Sequence, residues 1–167
     1  MFDPNFRRTV VLIAAHTDDG AMGLVLNRPT ELTVGDATEA LAQLTGPEEP
    51  VHQGGPVSPQ NVIVLAEFED PEEAAAIVMD DVGFLPADAD LDELAPSVRR
   101  ARVFAGHAGW APEQLESEME RDDWIVEPAT ADDVFTDEGE ELWATVLQRK
   151  GGEYALVARM PPDPSLN

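Results

Sequence analysis

Between Phe104 and Glu116 the chain reads FAGHAGWAPEQLE, and here its chemistry-bearing residues are densest. An apolar run stops at Gly106, His107 follows, and Gly109 and Trp110 precede Pro112, which opens a helical pattern. A glycine-bracketed residue between strand and helix is the setting of a nucleophile elbow. That device needs a serine at G-x-S-x-G spacing, whereas the order here is Gly106-His107-Ala108-Gly109, so there is no hydroxyl to activate. His107 has the chemistry of a general base or a phosphate acceptor. Without a recognisable partner its plainer reading is a turn residue at a strand exit. The amides of Gly109, Trp110 and Ala111 open the next helix and offer an anion cradle. Glu113 and Glu116 already complement that positive end and repel phosphate, so a neutral, cationic or peptide ligand fits better. Trp110 is either a stacking surface for such a ligand or a core anchor.

Two further corners carry polar groups at strand exits. Asn27-Arg28-Pro29 suits a carboxylate or amide, and Gly54-Gly55-Pro56 admits close backbone approach; both also read as structural turns. His16, His52 and His107 share neither a helix face nor a metal-type spacing, so no metal and no cofactor is expected. Adjacent acids such as Asp80-Asp81, Asp122-Asp123 and Asp132-Asp133 carry little catalytic information in a chain with 34 acidic residues.

That acidity excludes more than it suggests. Against 34 acids stand 10 basic residues, a net charge of -24, and such a field opposes DNA, RNA and anionic membranes. The local exception is Arg99-Arg100-Ala101-Arg102, a small phosphate contact or a solvated strand entry. The absence of cysteine removes disulfides and thiolate chemistry. A polar amino terminus without a signal peptide, and no run of about 18 apolar residues, lead to the expectation of a soluble cytoplasmic protein.

The elements that must position these residues follow from pattern. At 167 residues, 43% hydrophobic, one core and one domain over 1–160 are expected, with a surface tail at 161–167. Thr9 to Ala15 and Ala21 to Leu26 read as a hairpin around Asp18-Asp19-Gly20. Thr33 caps a helix carrying Val34, Ala37, Leu41 and Leu44 until Gly46-Pro47. Val51 to Gln53 is a short extended piece, Gly54 to Val57 a turn, and Asn61 to Phe68 a strand. Ala74 to Leu85 is a hairpin about Asp80-Asp81. Asp90 caps a brief helix through Leu94, and Arg102 to Ala105 is a strand leading into the opening stretch. A helix with Leu115 and Met119 on one face follows Pro112, and Trp124 to Val126 is extended. The strongest helix runs from Thr136 to Lys150 with a core face of Leu142, Trp143, Val146 and Leu147. Tyr154 to Met160 reads as a last strand. Short turns between consecutive strands exclude parallel crossovers, so the class is mixed α+β.

Taken together, Asp3-Pro4-Asn5-Phe6, His16, Gly20 through Pro29, Gly54-Gly55-Pro56-Val57, Gly106 through Gly109-Trp110 to Gln114-Leu115-Glu116, Trp124 and the tail Asp163 to Asn167 resemble the YqgE/AlgH family. The resemblance covers nearly the whole chain. It implies a cytoplasmic single-domain α+β fold whose bent, mixed, largely antiparallel sheet forms a pseudo-barrel flanked by helices. It supplies no activity; members are often labelled transcriptional regulators. Glu113 stands where the family pattern has glycine, and His107 where tyrosine is common. The matching residues His16, Asn27, Arg28, Gly54, Gly55, Gly106, Gly109, Trp110, Gln114 and Glu116 form the candidate ligand or partner site, expected as a groove between the turns at 27–29, 54–57 and 106–110. The leading expectation is a non-catalytic binding or regulatory protein whose partner is a protein or small molecule. A hydrolase using His16 or His107 with a neighbouring carboxylate is the alternative, and direct DNA regulation through Arg99, Arg100 and Arg102 the third.

Overall fold

The computed structural model describes residues 6–162. Its strands are β1 (Val11–Thr17), β2 (Gly20–Val25), β3 (Pro29–Thr33), β4 (Pro50–Gln53), β5 (Val57–Phe68), β6 (Ala76–Met79), β7 (Val82–Phe84) and β8 (Val98–Trp110). They form one sheet ordered β1-β2-β8-β5-β7-β6, with β3 hanging from β4 and β4 from β8. Along one edge of β8, Phe104 and Ala105 take β4 in parallel, and Ala108 to Trp110 then take β2 antiparallel. Gly106, at φ 73°, makes the joint between the two branches. The sheet is therefore bent, bifurcated and largely antiparallel, and it curls into a pseudo-barrel flanked by short helices.

Local chemistry accounts for most of these elements. Thr17-Asp18-Asp19-Gly20 closes the first hairpin with Thr17 opposite Gly20, and Asp80, at φ 48°, turns β6 into β7 as the sequence predicts. The helix expected from Thr33 is present as two pieces, α1 (Val34–Ala37) and α2 (Glu39–Thr45), because Thr38 is extended at φ −158°. The brief helix capped by Asp90 is α3 (Leu91–Leu94), and α4 (Gln114–Glu120) follows Pro112. Leu12, Leu24, Leu65, Phe104, Val134 and Leu142 build the main core between the sheet and the carboxy-terminal helices.

Four expectations are corrected. Gly106 to Trp110 is not a turn but the end of β8, a strand of 13 residues. The helix expected from Thr136 begins at Leu142 as α6 (Leu142–Lys150), because Gly139 sits at φ 58° and interrupts the acidic lead-in. Before it lies α5 (Ala131–Phe135), a helix beyond those expected, started by a reciprocal Thr130/Asp133 capping box. Finally, Tyr154 to Met160 is not a strand. Gly151 and Gly152, both at positive φ, turn the chain back into α7 (Glu153–Val157), and Tyr154 lies under the Lys150 ammonium at 5.1 Å. Trp124 to Val126 is irregular, not strand. Of the tail expected at 161–167, residues 163–167 lie outside the described residues, as do Asp3, Pro4 and Asn5. Among the described residues no helix is long and apolar enough to cross a membrane.

Ion pairs fix the helices to one another and to the sheet. Arg149 holds Asp133 in a fork at 2.9 and 2.8 Å, which draws the Asp133 carboxyl below its usual range against the opposing effect of burial. Arg102 is almost fully buried and donates to the Val134, Phe135 and Thr136 carbonyls at the end of α5 and to Asp137. Arg99 reaches Asp81 and Arg100 reaches Glu67 and Asp132, so the arginine run is engaged with the protein's own acids and carbonyls.

Candidate functional site

Beyond Trp110 the chain reverses in three residues. Glu113 takes a left-handed conformation at φ 64°, one that suits glycine better than a residue with a side chain. Gln114 Oε1 accepts the Ala111 amide at 2.9 Å, and its Nε2 donates to Glu118 Oε1 at 3.1 Å. Leu115 is buried against Ala21, Ala108 and Trp110. One turn on, Glu118 Oε2 accepts both indole N–H groups, from Trp110 at 3.0 Å and Trp124 at 2.7 Å. Indole N–H groups withdrawn from water need acceptors, and one carboxylate serves the buried Trp110 and the half-buried Trp124 alike. The two rings meet edge to face at 5.9 Å with Phe6 against each. Gly23 makes room for them, since a Cβ there would stand 2.8 Å from Val11 and 3.2 Å from the Trp110 ring.

These rings form one wall of a recess of about 360 Å³. Its floor is β1 at Val11 to Ile13, its far side the irregular segment Trp124 to Ala129, and Leu115 and Met119 close it from α4. At the rim His16 Nε2 stands 2.5 Å from Glu116 Oε1. The Glu116 carboxyl lies below its usual range, held first by its own backbone amide and then by His16. A second recess of about 290 Å³ shares Val11, Trp124, Ile125 and Glu127 and continues towards Arg7, Arg8 and Trp143, with the Arg8 guanidinium 4.5 Å over the Trp143 ring.

The sequence-predicted residues divide between this recess and a backbone junction. His16, Trp110, Gln114 and Glu116 belong to the recess or to the network behind it. Gly54, Gly55 and Gly106 lie where β4 and β8 cross: a Cβ on Gly54 would be 2.3 Å from the Gly106 carbonyl, and one on Gly106 2.5 Å from that of Gly55. The chain's own backbone fills the space between these segments. Gly109 is exposed opposite Met22, and His107 stands in β8 opposite Val57. Arg28 donates to the Arg7 carbonyl. Asn27 is wholly buried, accepting the Val10 amide at 2.9 Å and donating to the Arg8 carbonyl at 2.8 Å. Asn27→Ala strands both backbone groups, and a loss of about 2 kcal/mol in urea unfolding is expected. Glu118, Met119, Trp124 and Val126 were not singled out as site residues. The available signal was two tryptophans whose indoles need an acceptor, with Gln114 and Glu118 four apart on one helix face. Among the described residues no group of three or more His, Asp and Glu is placed to hold a metal ion.

The pattern read from the sequence is matched by the AlgH-like family model over residues 1–155. The chain belongs to the AlgH-like family. A UPF0301 protein of Streptomyces coelicolor is 43% identical over 171 residues, spanning 99% of this chain and 89% of that one. Another from Mycobacteroides abscessus is 41% identical over 172 residues, spanning 100% and 83%. A crystal structure from Corynebacterium diphtheriae superposes with a TM-score of 0.87 at 28% identity, covering 96% of this chain and 86% of that one. The solution structure of the AlgH protein from Pseudomonas aeruginosa gives 0.71 at 27% identity, covering 96% and 88%. AlgH-like membership thus fixes the fold; the family's function is not established.

Proposed function

We propose that this AlgH-like protein is a non-catalytic binding or regulatory protein that takes its ligand or partner in the recess between β1, α4 and the Trp124 to Ala129 segment. One observation carries the reading. Ile13, Met119, Ile125 and Val126 are all large, apolar and exposed, and all four line this recess, an arrangement that marks interaction surfaces. Any regulatory role runs through such contacts and not through DNA, since Arg99, Arg100 and Arg102 are engaged within the protein and the net charge is -24.

A screen of apolar fragments and short peptides by tryptophan fluorescence, run on the natural chain and on Val126→Asp, tests this. Val126 is 56% exposed, so the substitution is expected to shift the thermal midpoint by no more than about 2 °C. It places a charge against the ligand, so binders should weaken by about tenfold or more. Ligands held equally well by both chains would put the site elsewhere. A second reading, a water-activating hydrolase, is favoured by the His16 and Glu116 contact, which has the geometry of a base and its orienting carboxylate. Among the described residues no Ser, Thr or Cys lines the recess to serve as a nucleophile. Ester or phosphoester hydrolysis that His16→Gln abolishes would decide for that reading.

A further inference from the structure

We infer that the occupant of the recess is an extended, basic segment of a partner protein that adds to the sheet as a strand along β1. The inference rests on the reading of the recess as a binding site and names the class of partner.

Among the described residues β1 is an end strand, paired only with β2. Its ladder gives the orientation of each residue. Leu26 N–H donates to Val10 O, and Val25 N–H, opposite Val11, donates away from β1 to Gly54 O. Antiparallel pairs alternate between bonded and non-bonded, so Val10 and Leu12 turn their backbone groups towards β2 while Val11 and Ile13 turn theirs outward. Among the described residues no hydrogen bond joins the outward groups of Val11 and Ile13 to the segment facing them across the recess. That segment is tied in another direction: Lys150 donates to the Val126 carbonyl at 2.8 Å and Arg149 to that of Pro128 at 3.1 Å. The segment is thus held from α6, and the recess is bordered by the open backbone edge of β1 and by the exposed apolar side chains of Ile13, Met119, Ile125 and Val126. This is the combination that strand addition uses, main-chain pairing for affinity and pockets for alternate side chains.

Charge selects the occupant. A second copy of this chain would bring another -24, and the two fields would oppose docking, whereas a segment with Lys or Arg at alternate positions is drawn in. Its apolar residues would enter between Trp124, Val126 and Met119, and its basic residues would carry the charge that a net -24 attracts.

The probe is a blocked peptide, Lys-Val-Lys-Leu-Lys-Val-Lys, titrated into the full chain under amide hydrogen exchange. Val11 and Ile13 amides should gain about tenfold or more in protection. A peptide with N-methylated backbone amides on the paired edge should bind about tenfold more weakly or worse, and one with Glu replacing Lys should not bind. Binding that perturbs Trp124 while leaving Val11 and Ile13 unprotected overturns strand addition and leaves the recess as a binding site. No binding by any of these peptides, with fragments still held in the recess, overturns the basic-peptide inference alone, while failure of fragments as well removes both. Protection that appears without peptide and grows with protein concentration assigns the edge to a second copy and overturns the inference.

Discussion

Replacing Gly55 with alanine is expected to leave no stable fold. The added Cβ would stand 2.2 Å from the His107 carbonyl carbon and 2.3 Å from its oxygen. Both are backbone atoms of β8, so no rotamer change relieves the clash. The residue also sits at φ 155°, where side chains are disfavoured. The strands would have to separate where Gly54 N–H donates to Ala105 O at 2.9 Å and Val25 N–H to Gly54 O at 2.8 Å, the junction that carries β2 and β4 onto β8. A cost above about 5 kcal/mol is expected, the whole stability of a marginal domain. Loss of the cooperative urea transition would register it. Gly151→Ala, which meets nothing within 4 Å among the described residues although at φ 78°, should cost only about 1 kcal/mol. A Gly55→Ala chain unfolding near the natural midpoint would contradict the account of the junction.

The second large effect is acid destabilisation through His52. This imidazole is 3% exposed, tilted against Phe104 with ring centres 5.9 Å apart. Burial, reinforced by the nearby Arg102 charge, lowers its pKa from 6.5 to about 4, while its contact with the Pro50 carbonyl and the Asp137 charge act the other way. The folded protein keeps the ring neutral where the unfolded chain takes up a proton. The stability is therefore complete above pH about 6.5 and falls as pH drops towards 4, by about 3 kcal/mol over that window. Acidification also relieves repulsion among the carboxylates, which masks the trend in the natural chain alone. The difference between it and His52→Gln isolates the effect: urea midpoints of the two should converge on going from pH 7 to pH 4.5. Parallel curves would show that His52 does not titrate in this way.

How far the sequence discloses the site depends on the range of the interaction. Hairpins at Asp18-Asp19 and Asp80-Asp81 and the helix after Pro112 are local, and their turn and capping chemistry sits within a few residues. The length of β8 is not local. Gly106, His107 and Gly109 look like a turn by composition, and only pairing with β2, β4 and β5 holds them extended. The second half of the chain misleads in another way: Tyr154, Val157 and Ala158 suit either period, and the doubled glycine before them, both residues at positive φ, sends the chain back as a helix. At the site, His16 and Glu116 are 100 residues apart in sequence, and nothing local announces their contact. The family pattern collected both kinds of residue without separating them. Gly54, Gly55 and Gly106 serve a close backbone crossing, while His16, Trp110, Gln114 and Glu116 serve a recess whose other wall, Trp124 to Ala129, has no regular structure to predict.

The most direct test of the recess as the binding site is a chemical-shift map on ¹⁵N-labelled protein during titration with the best fragment or peptide from the screen. The account predicts that the indole resonances of Trp110 and Trp124 and the amides of Val11, Ile13 and Val126 move together and saturate at one ligand concentration. A map centred on Gly54, Gly55 and Gly106, with both indoles unmoved, would contradict it.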